Sequence, residues 1–333
     1  MPELPDITIY VERLAAFTID RPLQAVRIAS PFLLRSVDPP VSAVVGKRVV
    51  GVGRIGKRLV LDLEDDLHLV IHLMIAGRLR WKPAKVKIPN KLGLAAFDFE
   101  HGSILFTEAS KKKRASLHVV RGREGLAEHA RGGIDLLTSS TAEVAAALRS
   151  ENHTIKRALT DPTIIDGVGN AYSDEILWEA KMSPFRQTRA LDDAEIATLH
   201  AAARTSLTTW IERLRAEVGA GFPDEVTAFR AEMAVHGKYN QPCPRCGAPV
   251  QRIVYADNEA NYCARCQTEG KLLADRGLSR LLKADWPKTL DALEERKAEA
   301  RAVAGVSASA PAASTTAADP GAPPRLGKKP RGR

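Results

Sequence analysis

The chain of 333 residues contains no apolar run approaching the roughly 20 residues that a membrane-spanning helix needs. Its N-terminus carries acidic residues and no signal-peptide core. Together these absences argue against a membrane protein and point to the cytosol. Cysteine is scarce, with only four, and disulfides are disfavoured in that compartment. None is needed as a staple, because 44% hydrophobic residues in a chain of this length can bury ordinary cores. Negative charge is also in the minority. Forty Asp and Glu against 49 Lys and Arg leave a formal charge of +9, so the average surface attracts polyanions in a salt-sensitive way. Nucleic acid is the natural partner, although part of the excess lies in the C-terminal tail. The length predicts about two domains.

The four cysteines are the most specific signal. Cys243-Pro-Arg-Cys246 and Cys263-Ala-Arg-Cys266 are two C-x-x-C knuckles with sixteen residues between them. That spacing is a zinc ribbon's, with Zn²⁺ held tetrahedrally by four thiolates. Four protein ligands leave no open position, so the zinc is structural. Arg245, Arg252 and Arg265 surround it, and a β-hairpin between the knuckles makes it a metal-stiffened basic finger.

At the other end stand Met1-Pro2-Glu3-Leu4-Pro5-Asp6. Removal of Met1 makes Pro2 an N-terminal secondary amine, which titrates within a few units of neutrality and opens Schiff-base chemistry. Glu3 offers a proton donor or a counter-charge beside it. The plainer alternative is a common Met-Pro start and a stiff lead-in. Apolar residues Ile7, Tyr10, Val11, Leu14 and Phe17 then recur at helical spacing, predicting an amphipathic helix over Leu4–Phe17.

From about residue 22 to 120 the texture is β. Leu59, Leu61 and Leu63, an acidic turn, then Leu67, Leu69, Ile71 and Leu73 read as a hairpin; Phe97, Phe99, a turn at His101-Gly102, Ile104 and Phe106 read as a second. Gly51-Val-Gly-Arg-Ile-Gly56 has dinucleotide-fingerprint spacing but leads into a strand, so that reading is rejected. What survives is a glycine-rich turn presenting Arg54, Lys57 and Arg58, either to a phosphodiester backbone or to solvent. The run Lys111, Lys112, Lys113, Arg114 leaves the same two readings open.

Helical texture follows about residue 135, over Ala142–Leu148, Thr154–Leu159 and Ala171–Ala180. Asp166-Gly-Val-Gly-Asn170 leads into the last of these, a turn whose backbone N–H groups predict a phosphate site. The longest helix is expected from Asp192, with an Asp192/Glu195 capping box, through Leu214. Past about Ala300 the composition collapses to Ala, Ser, Thr, Pro and Gly with a basic end, a disordered tail.

Pro-Glu-Leu-Pro at the start, Gly56-Lys57, Met74 after a strand, Gly167-Val-Gly-Asn170-Ala-Tyr172 and the four-cysteine finger together resemble the formamidopyrimidine-DNA glycosylase and endonuclease VIII family of bacterial base-excision repair enzymes. The match covers roughly residues 1 to 270. It implies an α+β multidomain fold: an N-terminal β-sandwich with a leading helix, and a C-terminal helix-two-turn-helix domain plus a four-cysteine zinc finger. The expected divisions are 1–130 for the catalytic sandwich, 135–235 for the helical domain, 236–270 for the finger, 271–300 for a helical extension and 301–333 for the tail.

The resemblance also implies a monomer that binds double-stranded DNA in the cleft between its domains, at damaged bases or abasic sites. Pro2 would attack C1′ of the damaged nucleoside, expel the base and form an iminium, after which β- and δ-elimination cut the strand. Glu3 would assist ring opening. Lys57 and Asn170 would hold phosphates, Met74 would fill the gap left by the extruded nucleotide, and Lys111, Lys112, Lys113, Arg114, Lys156 and Asn258 complete the expected DNA contacts.

Three departures accompany the match. Asn258 stands where the family usually has an Arg, five residues before the third cysteine; Glu108 to Arg114 lacks the family's wedge aromatic; and Gly219 to Val235 is shorter than the loop that covers 8-oxoguanine. The lesion range is therefore not transferred. Two other function classes compete: a damage- or structure-specific DNA-binding protein without efficient base excision, and a zinc-ribbon adaptor, which leaves the N-terminal residues unexplained. Covalent chemistry separates them from the enzyme.

Overall fold

The computed structural model describes residues 1–303 except 225, 228, 256, 257 and 275, so the tail expected over 301–333 falls almost wholly outside the described residues. The chain forms two compact units, Met1–Leu290 and Asp291–Arg333. Helix α1 (Leu4–Thr18) is followed by eight strands: β1 (Ala25–Ile28), β2 (Val49–Ile55), β3 (Arg58–Leu63), β4 (Leu67–His72), β5 (Gly77–Lys82), β6 (Gly93–Phe99), β7 (Gly102–Glu108) and β8 (Ser116–Arg121). Helices α2 (Gly122–Ala127), α3 (Thr141–Ser150), α4 (Ile155–Thr160), α5 (Asn170–Glu179) and α6 (Asp193–Val218) come next. The finger hairpin is β9 (Gln251–Tyr255) and β10 (Asn258–Tyr262), followed by α7 (Ala264–Thr268), α8 (Arg276–Leu282) and α9 (Leu290–Val303).

Alternation of leucine and phenylalanine with smaller or polar residues produces two four-stranded antiparallel sheets, in the orders β2-β3-β4-β8 and β1-β6-β7-β5. Leu59, Leu61, Leu63, Leu69 and Ile71 of the first sheet share one core with Phe97, Phe99, Ile104 and Phe106 of the second. This is the expected sandwich. Each fully buried leucine contributes on the order of 1.5–3 kcal/mol. Both expected hairpins form, with Leu61 opposite Leu69 and Phe97 opposite Ile104, the second turning at Glu100-His101, one residue before the expected place. Gly102 follows that turn in close packing, where a Cβ would stand 2.1 Å from the Trp81 ring.

Helix α1 serves two cores at once. Ile7, Tyr10 and Leu14 enter the sandwich core, while Leu4 and Ile9 pack with the core of α3 to α6. Its first residues are thereby fixed where the two layers meet. Helix α6 begins as expected: the Asp192 carboxylate accepts the Glu195 N–H at 2.7 Å, and the Glu195 carboxylate accepts the Asp192 N–H at 3.0 Å. The segment after α6 folds back on α1. The Arg13 guanidinium donates to the carbonyls of Ala220 and Gly221, Phe222 meets Phe17 edge-on, and Arg78 Nε donates to the Val226 carbonyl at 2.6 Å. No helix among the described residues is long and apolar enough to cross a membrane.

Candidate active site

Pro2 is buried, and Glu3 lies against the N-terminus of α5, 3% exposed. Its carboxylate accepts three backbone N–H groups: Gly169 at 2.8 Å and Tyr172 at 3.1 Å on Oε2, and Ala171 at 3.0 Å on Oε1. One residue on, the Leu4 N–H donates to the Gly167 carbonyl at 2.9 Å. This narrows one expectation. Within the turn read as a phosphate site, the Gly169 N–H is taken by an anion from inside the protein, Glu3, which also takes the Ala171 and Tyr172 N–H groups just beyond it. A carboxylate at a helix N-terminus is favoured by the same partial positive charge that would favour a phosphate.

Gly169 makes this contact possible, since a Cβ there would stand 2.5 Å from the Glu3 carboxyl carbon. Gly169→Ala is expected to destabilise the protein by about 1–3 kcal/mol through overpacking and to lower strand cleavage more than it lowers DNA affinity. A thermal melt and single-turnover cleavage, run on the same preparation, check both effects.

Beside the N-terminus opens a cavity of about 660 Å³, lined among others by Met1, Lys57, Arg58, His72, Met74 and Arg131. The α-amine of Met1 is held below its ordinary pKa, chiefly by burial. Burial likewise lowers the Lys57 ammonium, with Glu3 and Asp166 pulling the other way. His72 is pushed down to about 4 by burial and by the neighbouring cations Arg58 and Lys57, so its ring is neutral at pH 7. Met74 lines the wall in the left-handed region (φ 53°), its N–H donating to His72 Nδ1 at 2.9 Å, while the next residue, Ile75, is 60% exposed. Of the three cations expected on the glycine-rich turn, Arg54 is spent within the protein, bridging Asp135 and, at 3.3 Å, Asp166.

The other expected DNA contacts divide. Lys111, Lys112 and Arg114 are exposed and have no ion-pair partner among the described residues. Lys113 turns back to the Glu108 carbonyl, and the buried Glu108 carboxylate accepts the N–H groups of Arg114 and Ala115, which shapes the loop. Lys156 is occupied: its ammonium donates to Asp174 at 2.6 Å, Ser173 Oγ at 3.0 Å and the Asn170 carbonyl at 3.2 Å. Asn258 opens β10 opposite Tyr255; its side chain lies outside the described structure.

The Sγ atoms of Cys243, Cys246, Cys263 and Cys266 all lie within 4.8 Å of one another. A zinc–sulfur distance of about 2.3 Å puts the corners of a tetrahedron roughly 3.8 Å apart, between the observed 3.4 Å (Cys246–Cys263) and 4.0 Å (Cys243–Cys266). The donor set fits one structural zinc. Trp178 of α5 donates its indole N–H to Cys243 Sγ at 3.3 Å, and the Arg245 guanidinium lies 3.9 Å over the same ring. These contacts tie the finger to the helix that holds Glu3.

Several working residues were missed by sequence reading. Asp174, 1% exposed, joins Lys156 to His236 Nδ1 at 2.8 Å. Glu175 accepts the N–H groups of Ala234, Val235 and His236. Asp6, pushed up to about 6 by burial, meets Arg230. The adjacent carboxylates of Asp174 and Glu175 beside Ile176 and Leu177, on a helix buried along most of its length, were the available signal.

Three family models match the chain: the formamidopyrimidine-DNA glycosylase N-terminal domain over residues 1–115, the formamidopyrimidine-DNA glycosylase H2TH domain over 135–219, and the zinc finger found in FPG and IleRS over 240–268. A Roseiflexus formamidopyrimidine-DNA glycosylase is 32% identical over 278 residues, covering 80% of this chain and 100% of its own. A Mycobacterium tuberculosis protein described as an uncharacterized formamidopyrimidine-DNA glycosylase-like protein is 42% identical over 151 residues, 45% of this chain and 94% of that one. Among solved structures, Lactococcus lactis Fpg in complex with abasic-site DNA superposes with a TM-score of 0.70 at 23% identity, covering 80% of this chain and 99% of its own. At that identity the likeness shows the fold.

Proposed function

The chain belongs to the formamidopyrimidine-DNA glycosylase family, and from that premise we propose that its N-terminal pair, Pro2 and Glu3, carries base excision and strand cleavage at the cavity beside Lys57. It is a base-excision-repair DNA glycosylase with abasic-site lyase activity. The observation that supports this assignment of residues is the lock between Glu3 and the three N–H groups of α5, which holds the adjacent Pro2 at the edge of a cationic cavity.

With Met1 removed, the Pro2 nitrogen attacks C1′ of the damaged nucleoside and the base departs with the electrons of the glycosidic bond. Opening of the sugar, assisted by Glu3, leaves an iminium between Pro2 and C1′. Loss of a C2′ proton then drives β-elimination of the 3′ phosphate, and δ-elimination releases the 5′ phosphate. Lys57 steadies the phosphates beside the lesion, while Met74 fills the space that the base vacates. Lys111, Lys112 and Arg114 contact the backbone, and Asn258 supplies a neutral hydrogen bond in place of a charge. The zinc holds the finger; it takes no part in the chemistry. We place the protein as a monomer in the bacterial cytosol and nucleoid, where thiolates stay reduced for the metal.

Duplexes that each carry one oxidised base or one abasic site test this. The expected result is base release followed by strand scission that leaves phosphate ends. Tight lesion binding with every strand intact would instead support a structure-specific DNA-binding protein on the same scaffold.

A further inference from the structure

Four cations line the cavity beside the N-terminus, Arg54, Lys57, Arg58 and Arg131, against one carboxylate, Asp166. Arg54 claims Asp166 and reaches Asp135 with its other arm. Lys57 sits under the influence of Glu3. Arg58 and Arg131 remain, and neither is within ion-pair distance of a carboxylate among the described residues. Two guanidinium groups so placed repel one another. Arg58 is half-buried; burial and Arg131 disfavour its charge, and Asp166, which pairs with Arg54, opposes them only at a distance.

Apart from Asp166, which Arg54 already holds, the surroundings do little to relieve that repulsion. Arg58 donates to the His129 carbonyl at 3.2 Å, which fixes its direction. The His129 ring meets His118 edge-on with centroids 4.7 Å apart, and burial holds both rings below their ordinary pKa. With His72 these are neutral N–H donors, not counter-ions. The loop that carries Arg131 is pinned, since the Gly133 N–H donates to the Pro162 carbonyl at 3.1 Å and a Cβ on Gly133 would stand 2.6 Å from that oxygen. The two cations therefore come from separate anchored segments, the start of β3 and the turn before α3, and line one cavity.

Guanidinium pairs recognise phosphate through forked hydrogen bonds. A phosphodiester brings one negative charge, whereas a terminal phosphate monoester carries about −1.5 to −2 at pH 7 and three free oxygens. We propose that Arg58 and Arg131 form a site for the terminal phosphate monoester of a cleaved DNA strand, so that the protein grips its own gapped product. This rests on the lyase reading above. Each elimination breaks a sugar C–O bond, leaves the electron pair on the phosphate oxygen and converts a diester into a monoester.

Fluorescence anisotropy on pre-made duplexes with a one-nucleotide gap tests the site without requiring catalysis. The gaps carry a 5′-phosphate only, a 3′-phosphate only, or hydroxyls at both ends, with an uncut duplex as control. The wild-type protein is expected to bind one phosphorylated gap about tenfold more tightly than the hydroxyl gap, and the arm that gains identifies the end. Arg131→Gln, at an exposed position, should remove most of that preference while leaving affinity for the uncut duplex within about twofold, and Arg58→Gln should remove the preference as well. Equal wild-type affinity for phosphate and hydroxyl ends overturns the proposal. So does an equal loss by Arg131→Gln on every duplex, which would make Arg131 an ordinary backbone contact. Cleavage activity without a phosphate preference counts against this site alone; a phosphate preference without any cleavage counts against the lyase reading.

Discussion

Protein that retains any residue ahead of Pro2 is expected to lose the borohydride-trapped complex at proline with abasic-site DNA, by about 10²–10⁴-fold, the range for removing one positioned catalytic group. The reason is electronic. While Met1 is attached, the Pro2 nitrogen is an amide whose lone pair is delocalised into the carbonyl, and it cannot add to C1′. Once Met1 is gone, the same nitrogen is a secondary amine that titrates near neutrality, and the buried Glu3 beside it is already locked onto α5. The Met1 amine also lines the cavity, and burial lowers its pKa, so at the N-terminus unprocessed protein is expected to trap only through that primary amine, at Met1. Mass spectrometry of the trapped peptide separates the two. An adduct on Pro2 in processed protein is the expected result; full trapping at an internal lysine, with Pro2 unmodified, would remove Pro2 from the mechanism. Pro2→Gly keeps an N-terminal amine and should therefore weaken the lyase without abolishing it.

Removing zinc is expected to have the other large effect. Structural zinc in small finger peptides contributes an apparent 10–16 kcal/mol or so at pH 7, and the finger here has little else. Its apolar cluster is small, chiefly Val235, Val250, Ile253, Tyr262 and Leu290, and it includes the cysteines themselves. After chelation, amide exchange over residues 240–268 should approach that of an unfolded chain, while the cores served by α1 and α6 remain protected. DNA affinity should fall with it, since the basic hairpin loses its frame. Affinity unchanged in demonstrably metal-free protein would show that the finger makes no contact with DNA. A graded readout is available too: Trp178 donates to Cys243, so its fluorescence should respond to metal loss before the rest of the helical core.

Much was legible before any coordinates, because it depends on neighbours along the chain. Period-two alternation marked both hairpins, the Asp192/Glu195 pair marked the start of α6, and the two C-x-x-C knuckles specified a metal with its four ligands. The N-terminal Pro-Glu pair was equally visible as a chemical possibility. What lay beyond local reading was who pairs with whom across long stretches of sequence. Glu3 takes the N–H groups of Gly169, Ala171 and Tyr172, the first of them 166 residues away along the chain, and so anchors the N-terminus to the start of α5. Arg54 and Lys156 look like free cations in the sequence, yet Asp135, Asp166 and Asp174 neutralise them. Arg58 and Arg131 look no different, and are left without a carboxylate. By itself the sequence determined the elements, the metal ligands and the kind of chemistry, since periodicity and ligand spacing act over a few residues; only the tertiary structure decided which charges are spent and which remain for DNA, because Coulomb energy depends on distance in space and on burial.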